Sequence, residues 1–479
     1  MPIKNLLLNT YRMPMLMAIS CVLFYFSFAY NLERTDFVKL LMLYSALFVL
    51  FYKLVQLLKN NIELLNWLAF IFRAVFILAI PNLSQDFYRF IWDGRMILEG
   101  LNPYLYTVES FIKNDQFPVA QAQELYHGMG SLNANHFTNY PSINQLCFVI
   151  AGLFAGKSIL GSVVVMRLLI IAADFGTLYF GKKLLTKLNL PAYNIFWYLL
   201  NPFIIIELTG NLHFEGVMIF FLVWSLYLLH IGKLQLAAIV FALSISVKLM
   251  PLLFLPLFYQ WFMKQKIIAS EAEQSLSISK IASSFPPRND GFKNIKKLII
   301  FYLIIGLTTL LLFASFYSET FINNYSKTVA LWFQDFEFNA SLYYIARGIG
   351  YLFRGYNEIG IIGKFIPLLV ISFVIIITFF RKNDTTLKLI SAMLFALTFY
   401  YFTATTVHPW YVATLLILSV FTNYKFPLVW SFAIILSYLA YLNTNNTENL
   451  WIIGLEYAIV YSVFIWEVFI NKKAMKKNS

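Results

Sequence analysis

The sequence is poor in charge, poorer still in sulfur, and has no stretch polar enough for a large water-soluble domain. Asp, Glu, Lys and Arg make up 12% of the 479 residues, about half the share of an ordinary soluble chain. That shortage excludes a conventional soluble globule. The two cysteines, Cys21 and Cys147, fall in apolar stretches, which excludes a disulfide framework and a cysteine metal site. No glycine-rich phosphate loop of the nucleotide type occurs, and no internal repeat stands out. Acids are outnumbered, 23 Asp+Glu against 36 Lys+Arg, for a net charge of +13. The basic residues sit in short connections and in the tail from Asn471 to Lys477. No nucleic acid partner is expected; the pattern is that of anchors beside anionic membrane lipids.

What the chain has in abundance is apolar surface. Hydrophobic residues make up 60% of it, aromatics 19%, and mean hydropathy is +0.70. Runs of spanning length recur from end to end. They predict an all-α integral membrane protein, a polytopic helical bundle of about 12–15 segments. The first run, from Met13 to Tyr30, reads as a retained signal anchor. An N-terminal transmembrane module (1–263) carries a first large loop at 82–140. A Ser-rich linker (264–297) with seven Lys/Arg against three acids follows. A C-terminal module (298–479) then carries a second loop at 318–358. The stretch 143–181 reads as one apolar run. Placing Lys4, Arg12, Lys53, Lys59, Lys182, Lys183, the linker, Arg381, Lys382 and the tail in the cytoplasm gives one consistent zigzag. It requires that 143–156 does not fully cross. Both termini are then cytoplasmic, and 82–140, 318–358 and the turn before His408 lie outside.

The densest chemistry is Ser84-Gln85-Asp86-Phe87-Tyr88-Arg89-Phe90-Ile91-Trp92-Asp93-Gly94-Arg95. As a helix it puts Asp86, Arg89 and Asp93 on one face, with an apolar side suited to the membrane interface. Asn102-Pro103 ends it. The plain alternative is a surface helix whose Asp and Arg pair with each other. Other ionisable groups lie in or beside spans, where each needs a partner or a water-filled cavity. Arg167 and Asp174 share a face and read as a structural pair. Lys248, with no acid adjacent in sequence, suits an anionic headgroup or snorkels to the interface. His213 with Glu215 lacks the third and fourth ligands of a metal site. His408 reads by itself as a satisfied interfacial histidine.

In order, the motifs are Asp86-Phe-Tyr-Arg-Phe-Ile-Trp-Asp-Gly-Arg through Asn102-Pro103-Tyr104, then Tyr140-Pro141-Ser142, Asp174 and Asn201-Pro202. Asn211-Leu-His213-Phe-Glu215-Gly, Lys248-Leu-Met-Pro251 and His408-Pro-Trp-Tyr411 follow. Together they resemble the GT-C superfamily of membrane glycosyltransferases, foremost its bacterial mannosyltransferase-like members, and also the enzyme that adds the first mannose of GPI anchors. The resemblance implies a multi-pass protein of the cell membrane (the bacterial inner membrane) acting at its extracytoplasmic face. It implies transfer of a hexose, with mannose the expected sugar, from a polyprenyl-phosphate donor to a lipid-linked or glycan acceptor, with inversion. Asp86 would be the catalytic base. Phosphate contacts would fall to Lys248 and His408, and substrate contacts to Arg89, Asp93, Arg95, His213 and Glu215. Where some relatives carry Asp-x-Asp, this chain has Ser84-Gln85-Asp86, so no cofactor and metal independence are expected. Two other readings stay open at this point: a secondary transporter, and a ligase or polymerase of lipid-linked glycans.

Overall fold

A computed structural model describes residues 3–264, 290–334, 336–442 and 447–471. Most of the expected linker and the basic tail beyond Asn471 lie outside the described residues. Among the described residues, seven helices are long and apolar enough to cross a membrane, or eight if one bent pair counts as a span. Five shorter apolar helices stand beside them. The full spans thus account for part of the expected segments, and short or broken helices for the rest. No extended strand occurs among the described residues.

α1 (Ile3–Asn31) and α2 (Phe37–Leu58) form a hairpin through a charged turn, where Asp36 caps α2 by accepting from the Lys39 amide at 3.1 Å. α3 (Ile62–Ala74) leads to the first large loop, which holds α4 (Asp86–Leu98), α5 (Val108–Lys113) and α6 (Ala122–Ala134). The apolar face of α4 was expected at the lipid interface, but protein covers it. Phe87, Phe90 and Ile91 are buried, and Phe90 stacks on Phe148 of α7 (Ser142–Ala155) at 4.6 Å. Gly94 permits this approach, since a Cβ there would lie 2.4 Å from the Phe148 carbonyl oxygen.

The run 143–181 is two helices. Gly156 at φ +56° breaks it, and Ser158 caps α8 (Ile159–Lys187) by accepting from the Gly161 amide at 2.9 Å. The expected Arg167–Asp174 pair is absent as well. Seven residues along one helix separate two groups by about 10 Å, so a shared face does not bring them into contact. Asp174 instead accepts from Arg73 Nε at 2.7 Å, with both side chains 1% exposed. Arg73 also donates to the Leu199 and Ala69 carbonyls.

The decisive break comes next. Asn201 caps α9 (Pro202–Gly210) by accepting from the Phe203 amide at 3.0 Å. α9 widens to a π-helix over Ile205–Gly210 and meets α10 (Glu215–His230) at 114°. Arg167 donates to the carbonyls of Thr209, Gly210 and Ile77 at 2.8–3.0 Å, groups that a helix end leaves unsatisfied. α11 (Leu234–Val247) packs against α10, and extended Lys248 links it to α12 (Met250–Met263).

The second half runs α13 (Asp290–Phe313), α14 (Glu319–Gln334), α15 (Leu342–Arg354), α16 (Ile359–Phe380), α17 (Thr386–Thr403), α18 (Pro409–Val420), α19 (Phe426–Leu442) and α20 (Leu450–Ile465). Its membrane-length helices α13 and α16 expose long apolar faces, such as Leu307, Leu310 and Leu311, or Phe365 and Leu368.

Breaking one side of a buried ion pair strands a charge and costs about 3–5 kcal/mol, whereas replacing both sides is far milder. Asp174→Ala is therefore expected to lower the thermal midpoint of the detergent-purified protein by many degrees. Arg73→Leu with Asp174→Leu should recover most of that loss in the same melting measurement.

Candidate active site

The two halves of the chain meet over the first large loop. Asn324 donates to the Tyr104 carbonyl at 3.0 Å, Tyr325 to the Asn139 carbonyl at 3.2 Å, and Asn102 to the Phe316 carbonyl at 3.1 Å. Phe338 pairs with the segment before His408: its amide donates to Thr405 O at 3.1 Å, and its carbonyl accepts from Val407 at 2.8 Å. Glu448 and Glu456 hold Asn339 through its backbone amide and its side chain, at 2.6 and 3.1 Å. Between these segments lies a polar cavity of about 650 Å³.

Four of the expected site residues line it: Asp86, Arg89, Lys248 and His408. Asp86 occupies the first turn of α4, where the helix dipole favours negative charge. Its Oδ1 accepts from Asn133 Nδ2 at 3.1 Å. Burial pushes the Asp86 carboxyl above its ordinary value; the Asn133 hydrogen bond and the charges of Lys248 and Arg34 pull it partly back. Arg89 is held on three sides, by Asp93 Oδ1 at 2.8 Å and by the carbonyls of Asn133 and His136 at 2.7 and 2.9 Å. It ties α4 to the end of α6 while still lining the cavity.

His408 stacks between Trp410, at 4.6 Å, and Phe338, at 5.3 Å. Burial, with the charges of Lys248 and Arg34, pushes it down to about 3, so at neutral pH it offers one N–H and no charge. Lys248 Nζ lies 3.1 Å from Glu215 Oε1 and 5.1 Å from the centre of the Tyr140 ring. The lysine without an adjacent acid in sequence thus has one in space.

The other four residues do not line this cavity. Asp93 is wholly buried behind Arg89 and accepts from Gln145 at 3.1 Å. Arg95 turns toward the Ala120 carbonyl, at 2.6 Å, and the Gln121 side chain. His213 stacks at 3.7 Å on Trp410, which also stacks on His408, and its Nε2 lies 3.8 Å from Glu207. Glu215 lines a second, mainly apolar cavity of about 380 Å³, walled by Leu253, Val370 and Ile371 among others. The two cavities share Asn139, Tyr140, Lys248 and Tyr411. Among the described residues no group of three His, Cys, Asp or Glu side chains could hold a metal ion.

Among the lining residues that were not anticipated are Arg34, Asn133 and Glu337. Arg34, in the α1–α2 turn, lies 3.3 Å from the centre of the Tyr441 ring. Asn133 holds Asp86. Glu337, in the second loop, is engaged by Tyr343, Arg347 and Asn357. The zigzag already puts the α1–α2 turn on the same side as the two large loops, so topology was the signal for Arg34. Nothing local in the sequence marks Asn133 or Glu337.

The structure is thus a multi-span helical bundle with a polar cavity lined by carboxylates and several cations, and a mainly apolar cavity beside it. Comparison with known proteins makes this specific. Over residues 26–264 the chain matches the family model described as alpha-(1->6)-mannopyranosyltransferase, N-terminal domain. It is a glycosyltransferase, of the mannosyltransferase class, which sets the transporter reading aside. No curated protein and no solved structure matches the chain.

Proposed function

We propose that this cavity transfers a mannosyl group from a polyprenyl-phosphate donor to a hydroxyl of a lipid-linked or glycan acceptor, with inversion and at the extracytoplasmic face. One observation carries the reading: the polar cavity with Asp86 and the apolar cavity lie side by side, with Asn139, Tyr140, Lys248 and Tyr411 lining both. A sugar phosphate on a prenyl chain needs that juxtaposition. The sugar belongs beside Asp86, the phosphate beside Lys248, and the chain along Leu253, Val370 and Ile371 toward lipid-exposed α16.

Asp86 takes the acceptor proton as the acceptor oxygen bonds to C1. The bond from C1 to the phosphate oxygen breaks, and its electron pair leaves with the phosphate. Base assistance of this kind contributes typically ~10²–10⁴-fold. Lys248 and Arg34 stabilise the charge that develops on the leaving phosphate, and the neutral His408 adds one N–H. Arg89 fixes the wall behind Asp86, with Asp93 holding it. No metal is assigned to the reaction, and transfer should survive chelation by EDTA. The family description specifies an α linkage, so inversion calls for a β-linked donor.

Charge supports this choice of face. Arg34, just before α2, lines the cavity, whereas Lys59 just after it lies a helix length away, about 33 Å. Lys187 likewise closes the end of α8 remote from Arg167, near His230 and Thr386. The basic ends therefore gather opposite the cavity, and the positive-inside pattern makes those ends cytoplasmic.

Asp86→Asn is expected to lower kcat by at least ~10²-fold with labelled β-polyprenyl-phosphate mannose and a membrane lipid extract, leaving donor KM within a few-fold. Undiminished transfer by this variant would remove Asp86 from the chemistry. The pH profile gives a second check. A base must be ionised, and burial raises Asp86 above its ordinary value, so activity should fall on the acid side at a pH above that of an unperturbed aspartate, about 4. Asn133→Ala removes a hydrogen bond that favours the ionised form, so the acid limb of kcat/KM should move to higher pH; a shift to lower pH would contradict the assignment.

A further inference from the structure

Glu215 stands at the junction of the two cavities. It opens α10 just past the bend, is 1% exposed, and lines the apolar cavity. One oxygen meets Lys248 at 3.1 Å; the other, Oε2, has no hydrogen-bond partner among the described residues. The Tyr401 hydroxyl, in the same cavity wall, has none either. Lys248 keeps 24% of its side chain exposed and lines both cavities. An ammonium has three N–H donors and Glu215 occupies one side of it. A phosphate reaching Lys248 from the cavity therefore meets the lysine with a buried carboxylate already behind it. A half-satisfied carboxylate in an apolar wall costs stability, and packing alone does not explain its presence.

Resting on the phosphate-donor reading, we propose that Glu215 is a positioning residue that holds Lys248 between turnovers and drives out the spent lipid phosphate. The reasoning is a difference in charge. The donor is a phosphodiester with one negative charge. Transfer breaks its sugar–phosphate bond and leaves a phosphomonoester, which carries ~1.5 to 2 negative charges near neutral pH. A fixed carboxylate on the far side of Lys248 repels both species, but it repels the product almost twice as strongly. Glu215 thus offsets part of the pull of Lys248 on both species, and by nearly twice as much on the product, which hastens its release.

The test uses full-length detergent-purified protein, with farnesyl phosphate as the product-like probe and farnesol as its uncharged control. Glu215→Gln should tighten inhibition by farnesyl phosphate about tenfold, while donor KM falls by less and inhibition by farnesol does not move. Glu215→Asp, which keeps the charge, should stay near wild type. The sharper comparison removes the lysine. Lys248→Gln leaves Glu215 to repel the phosphate, so Lys248→Gln with Glu215→Gln should bind farnesyl phosphate better than Lys248→Gln alone. The double variant also strands no charge, so the test stands even if Glu215→Gln folds poorly. A carboxylate that merely aims the lysine predicts the opposite for Glu215→Gln and no difference between the last two variants; either result overturns the inference. If wild type does not distinguish farnesyl phosphate from farnesol, the donor reading itself fails, and this inference with it.

Discussion

The site rests on a span that does not run straight. Between Asn201 and Glu215 the chain enters as a capped helix, widens into a π turn, and leaves at 114°. Backbone carbonyls freed inside a membrane protein must be satisfied by protein. Arg167 does this from the neighbouring helix, reaching the Thr209 and Gly210 carbonyls together with that of Ile77. The Arg73–Asp174 pair, on the same side of α8, anchors α3 and the turn at Leu199 behind it. With the bend fixed, Glu215 comes within reach of Lys248 and His213 within stacking distance of Trp410. Two buried arginines thus position a centre that neither of them enters.

The cavity is a joint product of both halves. The family match ends at residue 264, yet Glu337, Phe338, His408, Trp410 and Tyr441 line the same space as Asp86 and Arg34. The bonds from Asn324 and Tyr325 to the first loop, and from Phe338 to the segment before His408, hold the halves together at that end. In the proposed reaction the first half supplies the base and the lysine, and the second supplies the opposite wall and the neutral histidine. In that proposal the apolar cavity against α16 is the path of the lipid chain, which suits an enzyme made almost wholly of helices.

Much of this was legible in the residues. Composition and hydropathy determine an all-helical membrane protein, and the positive-inside pattern puts both large loops, the α1–α2 turn and the His408 turn on one side. The order of motifs led to the glycosyltransferase family. Contacts between distant segments were not legible. Spacing along a helix puts Arg167 and Asp174 on one face but does not show that the rise between them is too large for a bond. Lys248 lacks an acid in its neighbourhood of sequence, and only the bend in the broken span supplies Glu215. Hydropathy treats 143–181 as continuous, because one glycine at a positive φ barely alters an average over a window. The apolar face of α4 looked ready for lipid, since sequence does not reveal that α7 covers it through Gly94.

The central claim is that a lipid-linked sugar phosphate lies across the shared wall of the two cavities. The most direct measurement is a cryo-EM structure with a non-transferable C-glycoside analogue of β-polyprenyl-phosphate mannose. The phosphate should lie within hydrogen-bonding distance of Lys248, the sugar beside Asp86, and the prenyl chain along Leu253 and Ile371. A headgroup bound at the opposite end of the bundle, for instance in the groove beside Lys233 and Lys297, would contradict it.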